Sequence, residues 1–198
     1  MARPREFDEG AVLDAAIQCF WANGYEATSV RDLASEMGIT SASIYNAFGD
    51  KRGLYRRALD QYIEESLGER THRLEKTHRP RELIGAFFEE IIECSLDDKQ
   101  RKGCMLVNSA LELAPHDREF QKVVAGVLVE GEKFFRRLIR AGQKDGTIAT
   151  SQPADDLARL LLGVLLGIRV LARVRPEREL LEGLARPVLA LLDCDLVA

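Results

Sequence analysis

The four cysteines, Cys19, Cys94, Cys104 and Cys194, show no CxxC pairing. Their scatter argues against both a disulfide framework and a zinc knuckle, and a reducing compartment is the simpler setting. A long apolar run is missing too. The longest uncharged one, residues 160–168, has nine residues, where a spanning helix needs about 20. Arg3 and Arg5 precede an acidic, amphipathic stretch without the apolar segment and small-residue cleavage site of a secretory signal, so the expected setting is the cytoplasm, with no membrane partner. His72, His78 and His116 lack metal-ligand spacing; no metal and no cofactor are expected. Neither charge sign dominates: 28 Lys/Arg face 32 Asp/Glu for a net charge of −4, so bulk electrostatics announces neither nucleic acid nor a membrane surface. Any such partner must be argued from local residues.

What the 198 residues do hold is 46% hydrophobic and 30% charged, ordinary for a soluble chain able to bury a core as one or two domains. Apolar residues recur at three- and four-residue spacing almost throughout, with no competing alternation of β-branched residues, which predicts an all-α fold. Helices are expected over residues 8–23 (Asp8 cap, Gly24 stop), from the Thr28–Ser29 caps to Gly38, from Thr40 to Gly49, and from the Asp50 cap to Leu67. Beyond a polar stretch, 69–79, further helices are expected over 80–96, 103–113, 117–140, 153–174 and 177–192. Punctuation is dense before residue 50 and sparse after it, which divides the chain into a domain at 1–50 and another at 51–198.

Residues 28–50 read as two short helices joined by Met37-Gly38-Ile39-Thr40, a turn that suits a helix-turn-helix. In the second helix Ile44 and Phe48 point inward, leaving Ala42, Ser43, Tyr45 and Asn46 outward with Thr40 and Ser41 at its tip. No carboxylate lies between Met37 and Gly49. Small hydroxyls, an amide and a methyl can approach base edges where carboxylates would repel phosphates. Lys51 and Arg52 open the next helix, where positive charge opposes the macrodipole; phosphate contact is one reason to place them there. The competing reading is an ordinary packed helical hairpin with solvated charges, and residues 1–57 carry seven basic against eight acidic side chains.

Three motifs in this region, Gly24-Tyr25-x-x-Thr28-Ser29, Gly38-Ile39-Thr40-Ser41-x-Ser43-Ile44-Tyr45 and Phe48-Gly49-Asp50-Lys51-x-x-Leu54-Tyr55, resemble the DNA-binding domain of the TetR/AcrR family of transcriptional regulators. The resemblance covers about the first quarter of the chain. It implies an all-helical homodimer binding a roughly palindromic double-stranded operator, with a larger C-terminal domain around a small-molecule pocket. By that likeness Thr28 and Lys51 hold phosphates, Tyr45 reaches the backbone or a thymine methyl, and Thr40, Ser41, Ser43 and Asn46 face the groove. Ala47 departs from the family's usual histidine, which removes one phosphate contact. Arg3 and Arg5 either extend into a neighbouring minor groove or form a basic tip.

In the second half, residues 157–172 are apolar around nearly the whole helix circumference and 180–192 are rich in leucine and alanine. Burial on two sides predicts that both helices pair with their twofold mates, with Gly163 and Gly167 allowing close approach. The alternative is one large monomeric core. Residues 102–113, KGCMLVNSALEL, resemble a motif of a TetR subgroup that includes electrophile-responsive repressors. Cys104 in the first helical turn beside Arg101 and Lys102 favours the reactive thiolate, with Asn108 on its face; a packed small hydrophobe is the alternative. For a ligand pocket, Phe87, Phe88, Ile91, Met105, Phe120, Val124, Val127 and Phe134 supply an apolar wall, with Asn108 and Glu112 as polar anchors. These features point to a homodimeric regulator, a repressor released by a small-molecule inducer or electrophile and not an enzyme. The rivals are an all-helical thiol-dependent enzyme using Cys104 and a helical binding protein that never touches DNA.

Overall fold

The computed structural model describes residues 8–194, and these are helical with no strand. Arg3 and Arg5 lie outside the described residues. Local sequence sets each helix in the N-terminal third. Asp8 caps α1 (Glu9–Asn23) by accepting from the amides of Gly10 and Ala11, and Gly24 ends it at φ +82°. Ser29 caps α2 (Val30–Met37) through a reciprocal capping box with Asp32. Gly38, in the left-handed region, turns the chain toward Thr40, which caps α3 (Ser41–Phe48) by accepting from the Ser43 amide. Asp50 caps α4 (Lys51–Ile63) in the same way through Gly53. Each such cap contributes about 1 kcal/mol.

The fourth helix does not stop where its apolar pattern fades. It passes through a π-helical turn, Glu64–Gly68, into α5 (Glu69–Glu75), so the stretch expected to be a polar break is the end of one rod. Only Leu74 of α5 is buried. What holds this segment is ionic: Arg70 and Arg73 both pair with Glu90, and Glu75 with Arg137. Then follow α6 (Pro80–Asp97), α7 (Met105–Glu112), α8 (Arg118–Asp145), α9 (Ala154–Val174) and α10 (Arg178–Ala190). Gly142 does not end α8: its backbone lies so close to Ile148 that a β-carbon there would sit 2.6 Å from that side chain, and the left-handed Gly146 is the stop.

Two buried clusters result. The second half of the chain builds one from α6, the C-terminal part of α8, α9 and α10, around Phe87, Phe88 and Phe135. The other joins α1–α4 to Cys104, Met105, Leu106, Leu113, Phe120 and Val124. Its centre is Tyr55, whose ring meets Phe20 at 4.8 Å, Tyr25 at 5.0 Å and Phe120 at 5.5 Å, and whose hydroxyl shares a buried 2.7 Å hydrogen bond with Ser109. Burial pushes the Tyr55 phenol up to about 12. The helix-turn-helix therefore packs on α7 and the start of α8 as one cored unit.

Candidate functional site

Ile44 fixes the orientation of α3 because it is fully buried, and Phe48 is partly so. The opposite face is open: Thr40, Ala42, Tyr45 and Asn46 are exposed, Ser41 and Ser43 partly exposed, and Tyr45 keeps 51% of its surface. Thr40 is committed to its cap and also shares a 2.9 Å hydroxyl hydrogen bond with Ser43. Two of the outward hydroxyls are thus held in fixed positions, while Tyr45 and Asn46 project free of the chain's own core. A helix so presented fits a major groove about 12 Å wide.

Thr28 is placed differently. It is 1% exposed, and its hydroxyl donates to the Gly24 carbonyl at 2.6 Å, so the side chain secures the α1–α2 turn. Lys51 reaches the same turn: its ammonium donates to the carbonyls of Tyr25 (2.9 Å) and Thr28 (3.0 Å) and sits 4.2 Å from the Tyr25 ring centre. An ammonium has three donors, so one remains for an outside acceptor. The charge of Arg52 has an internal use. Its guanidinium donates to both carboxylate oxygens of Asp117 (2.7 and 3.1 Å) and to Glu119 (2.6 Å) at the head of α8. That pairing, rather than phosphate alone, answers the dipole penalty expected of a cation at a helix start, and it holds the Asp117 carboxyl down at about 2.

Below this head lies a cavity of about 960 Å³. Tyr62 and Leu67 from the α4 rod, Phe87 and Ile91 from α6, Val127, Phe134 and Phe135 from α8, Leu162, Leu165, Leu166 and Arg169 from α9, and Cys104, Leu106 and Val107 at the start of α7 line it. Of the expected effector residues, Phe87, Ile91 and Cys104 are on its wall; Phe120, Val124, Asn108 and Glu112 are not. Phe120 and Val124 belong to the core around Tyr55. Asn108 is a latch, donating to the Lys102 carbonyl (3.0 Å) and accepting from Arg173 (3.1 Å). Glu112 points the other way, accepting from the backbone amides of Tyr25 (3.2 Å) and Glu26 (2.8 Å) beside Gly24. A carboxylate gripping two amides is a charge-assisted joint, not a ligand anchor.

Cys104 is the N-cap residue of α7, without a side-chain cap bond, and is 9% exposed. Its neighbours include Tyr62 and Arg169. Lys102 donates to Gln18 (2.9 Å) and lies over Trp21. Burial pushes the Tyr62 phenol up, and Cys104 adds to that. Burial opposes the charge of Arg169, yet Cys104 and Tyr62 outweigh it and hold the guanidinium above its ordinary value. Cys19 is buried in α1, and Cys94 and Cys194 are exposed and separate.

Residues 12–58 match the family description "Bacterial regulatory proteins, tetR family", and residues 80–187 match "Tetracyclin repressor-like, C-terminal domain". The chain belongs to the TetR family of bacterial transcriptional regulators. A helix-turn-helix regulator of Bacillus subtilis (strain 168), YezE, is 32% identical over 98% of this chain and 100% of its own length. ComR of Escherichia coli (strain K12), described as a transcriptional repressor, is 28% identical over 96% of this chain and 90% of its own. Among solved structures, a cysteine mutant of the TetR-family regulator CifR, complexed with 26-bp double-strand operator DNA, shares 32% identity and a TM-score of 0.83 over 95% of this chain and 98% of its own.

Within this TetR-family chain, four contributing residues had not been singled out from the sequence. Gly53 allows α4 to start against the end of α3, since a β-carbon there would sit 2.2 Å from the Phe48 carbonyl oxygen. Asp117 and Glu119 hold the charge of Arg52 from 65 and 67 residues away, and no local signal announces them. Arg169 bounds the 160–168 apolar stretch on its C-terminal side, which is a readable signal: a charge beside a buried helix face needs a reason.

Proposed function

We propose that this chain acts as a cytoplasmic homodimeric repressor that places α3 of each copy in successive major grooves of an operator and leaves it when Cys104 is modified or the cavity is filled. The exposed, carboxylate-free face of α3, anchored by buried Ile44 and capped by Thr40, carries the DNA-binding reading. The dimer reading rests on α9 and α10. Leu160, Val170 and Val174 are exposed large apolar residues, and β-carbons at Gly163, Gly167 and Gly183 would meet nothing within 4 Å. Such a stripe fits a partner helix at close approach.

Release follows from α7. Eight residues of helix span about 12 Å, with Cys104 at one end and the Glu112 grip on the α1–α2 turn at the other. An adduct on a sulfur this buried displaces the start of α7, and the grip on Tyr25 and Glu26 moves with it. Only a difference in stability between the two dimer states drives release, typically about 1–3 kcal/mol of coupling. The test is fluorescence anisotropy on duplexes tiling the DNA around the coding region. Tyr45→Ala is expected to abolish specific binding with the helical content intact. N-ethylmaleimide is expected to release the wild-type protein, its activated C=C taking the Cys104 sulfur on one carbon and the thiol proton on the other, and to leave Cys104→Ser bound. Tyr45→Ala binding like wild type refutes the α3 interface; release of Cys104→Ser by the reagent refutes the thiol trigger.

A further inference from the structure

The arginines of the cavity differ in one respect. Those toward its rim are paired with carboxylates: Arg56 with Asp60, Arg70 with Glu90, Arg136 with Glu132, Arg137 with Glu75 and Arg140 with Asp155. Arg169 is not. Among the described residues no carboxylate pairs with it: it donates to the Ser95 hydroxyl at 3.0 Å and the Gly103 carbonyl at 3.2 Å and stands against Tyr62 and Cys104. A guanidinium in a largely apolar chamber is costly to hold without an anion to match it. Its fork offers five donors, of which these two bonds use only part.

Two further groups converge on the same spot. The Tyr62 hydroxyl stands beside Arg169 and Cys104, and α7 begins there with no side-chain cap, so its positive dipole end opens on the group. The chamber walls above are Phe87, Ile91, Phe134, Leu162 and Leu165. From this arrangement we infer that the cavity binds an apolar monocarboxylic acid, its carboxylate on Arg169 and Tyr62 and its hydrocarbon body against the α6, α8 and α9 side chains. An apolar body supplies burial and the single anionic head supplies orientation. The bound carboxylate lies over the Cys104 sulfur, so it also shields that sulfur from reagents. The inference rests on the effector reading of this cavity, but binding is measurable without DNA.

The experiment is isothermal calorimetry of the full-length protein with decanoate and, as the uncharged counterpart, decanol. Decanoate is expected to bind more tightly than decanol by about 10- to 100-fold, the worth of a hydrogen bond to a charged group. Arg169→Gln is expected to erase that preference while decanol affinity stays within about twofold. Should Arg169→Gln fail to fold, Tyr62→Phe reads the same effect, lowering decanoate affinity several-fold and leaving decanol unchanged. Saturating decanoate is expected to slow alkylation of Cys104 by N-ethylmaleimide. Equal affinities of the two probes, or a preference that survives both variants, overturns the inference and leaves Arg169 with its internal partners Ser95, Gly103, Tyr62 and Cys104 alone. If decanoate binds with the stated preference but does not release DNA, the carboxylate site stands and the effector reading falls; if alkylation releases DNA and decanoate does not bind, the reverse holds.

Discussion

A β-carbon at Gly53 collides with backbone, which cannot swing aside as a side-chain end can. Gly53→Ala is therefore expected to destabilise the protein by about 1–3 kcal/mol, read by urea unfolding, because the α3–α4 corner must open. The Arg52–Asp117 pair gives a prediction in pH. The folded-state carboxyl of Asp117 sits at about 2, below its ordinary value of 3.8. A depressed carboxyl stabilises the fold fully above its unfolded value and loses that contribution as pH falls through the folded one. Thermal midpoints are expected to drop more steeply between about pH 4 and pH 2 in wild type than in Asp117→Asn; superimposable acid limbs would contradict the pairing. At this scale the sequence was legible where chemistry is local. Asp8, Thr40 and Asp50 cap helices as their types imply. The internal partners of Arg52 were not legible because they lie far along the chain, nor were those of Glu112, because its acceptor role is set by a tertiary contact with the α1–α2 turn.

The element on which regulation turns is α7. Glu112→Gln keeps its length but loses the charge that strengthens bonds to the Tyr25 and Glu26 amides. The expected cost is about 1–2 kcal/mol of stability, read by denaturation, with reduced coupling between Cys104 alkylation and DNA release. Unchanged coupling would mean that α7 is not the connecting strut. Helix existence and order were readable from apolar period and from glycine and proline punctuation. Two extents were not. Glu69–Glu75 has one buried residue and stays helical through ion pairs with α6 and α8. Gly142 looks like a stop and is a contact point for Ile148, so α8 runs on to Asp145. The cavity was only partly legible for a related reason: Phe120, Val124, Val127 and Phe134 repeat in register, but Phe120 and Val124 are buried where α8 meets the helix-turn-helix, Val127 packs at the edge of that same core while lining the cavity, and Phe134 lines it from the second core.

At the scale of the whole molecule, the account needs two copies at fixed separation. Val170→Asp on the exposed α9 stripe is expected to give a monomer at micromolar concentration by sedimentation, and to weaken operator binding by about 100-fold or more as the second site no longer benefits from the first. A dimer that persists would place the interface elsewhere. The most direct measurement of the central claim is guanine-N7 methylation protection on the bound DNA, because that atom lies in the major groove. The account predicts two protected patches on one face of the duplex, centred about 10 bp or a multiple of it apart, both lost in Tyr45→Ala. Protection spread evenly along the duplex, or a bound complex in which no guanine N7 is protected, would contradict it.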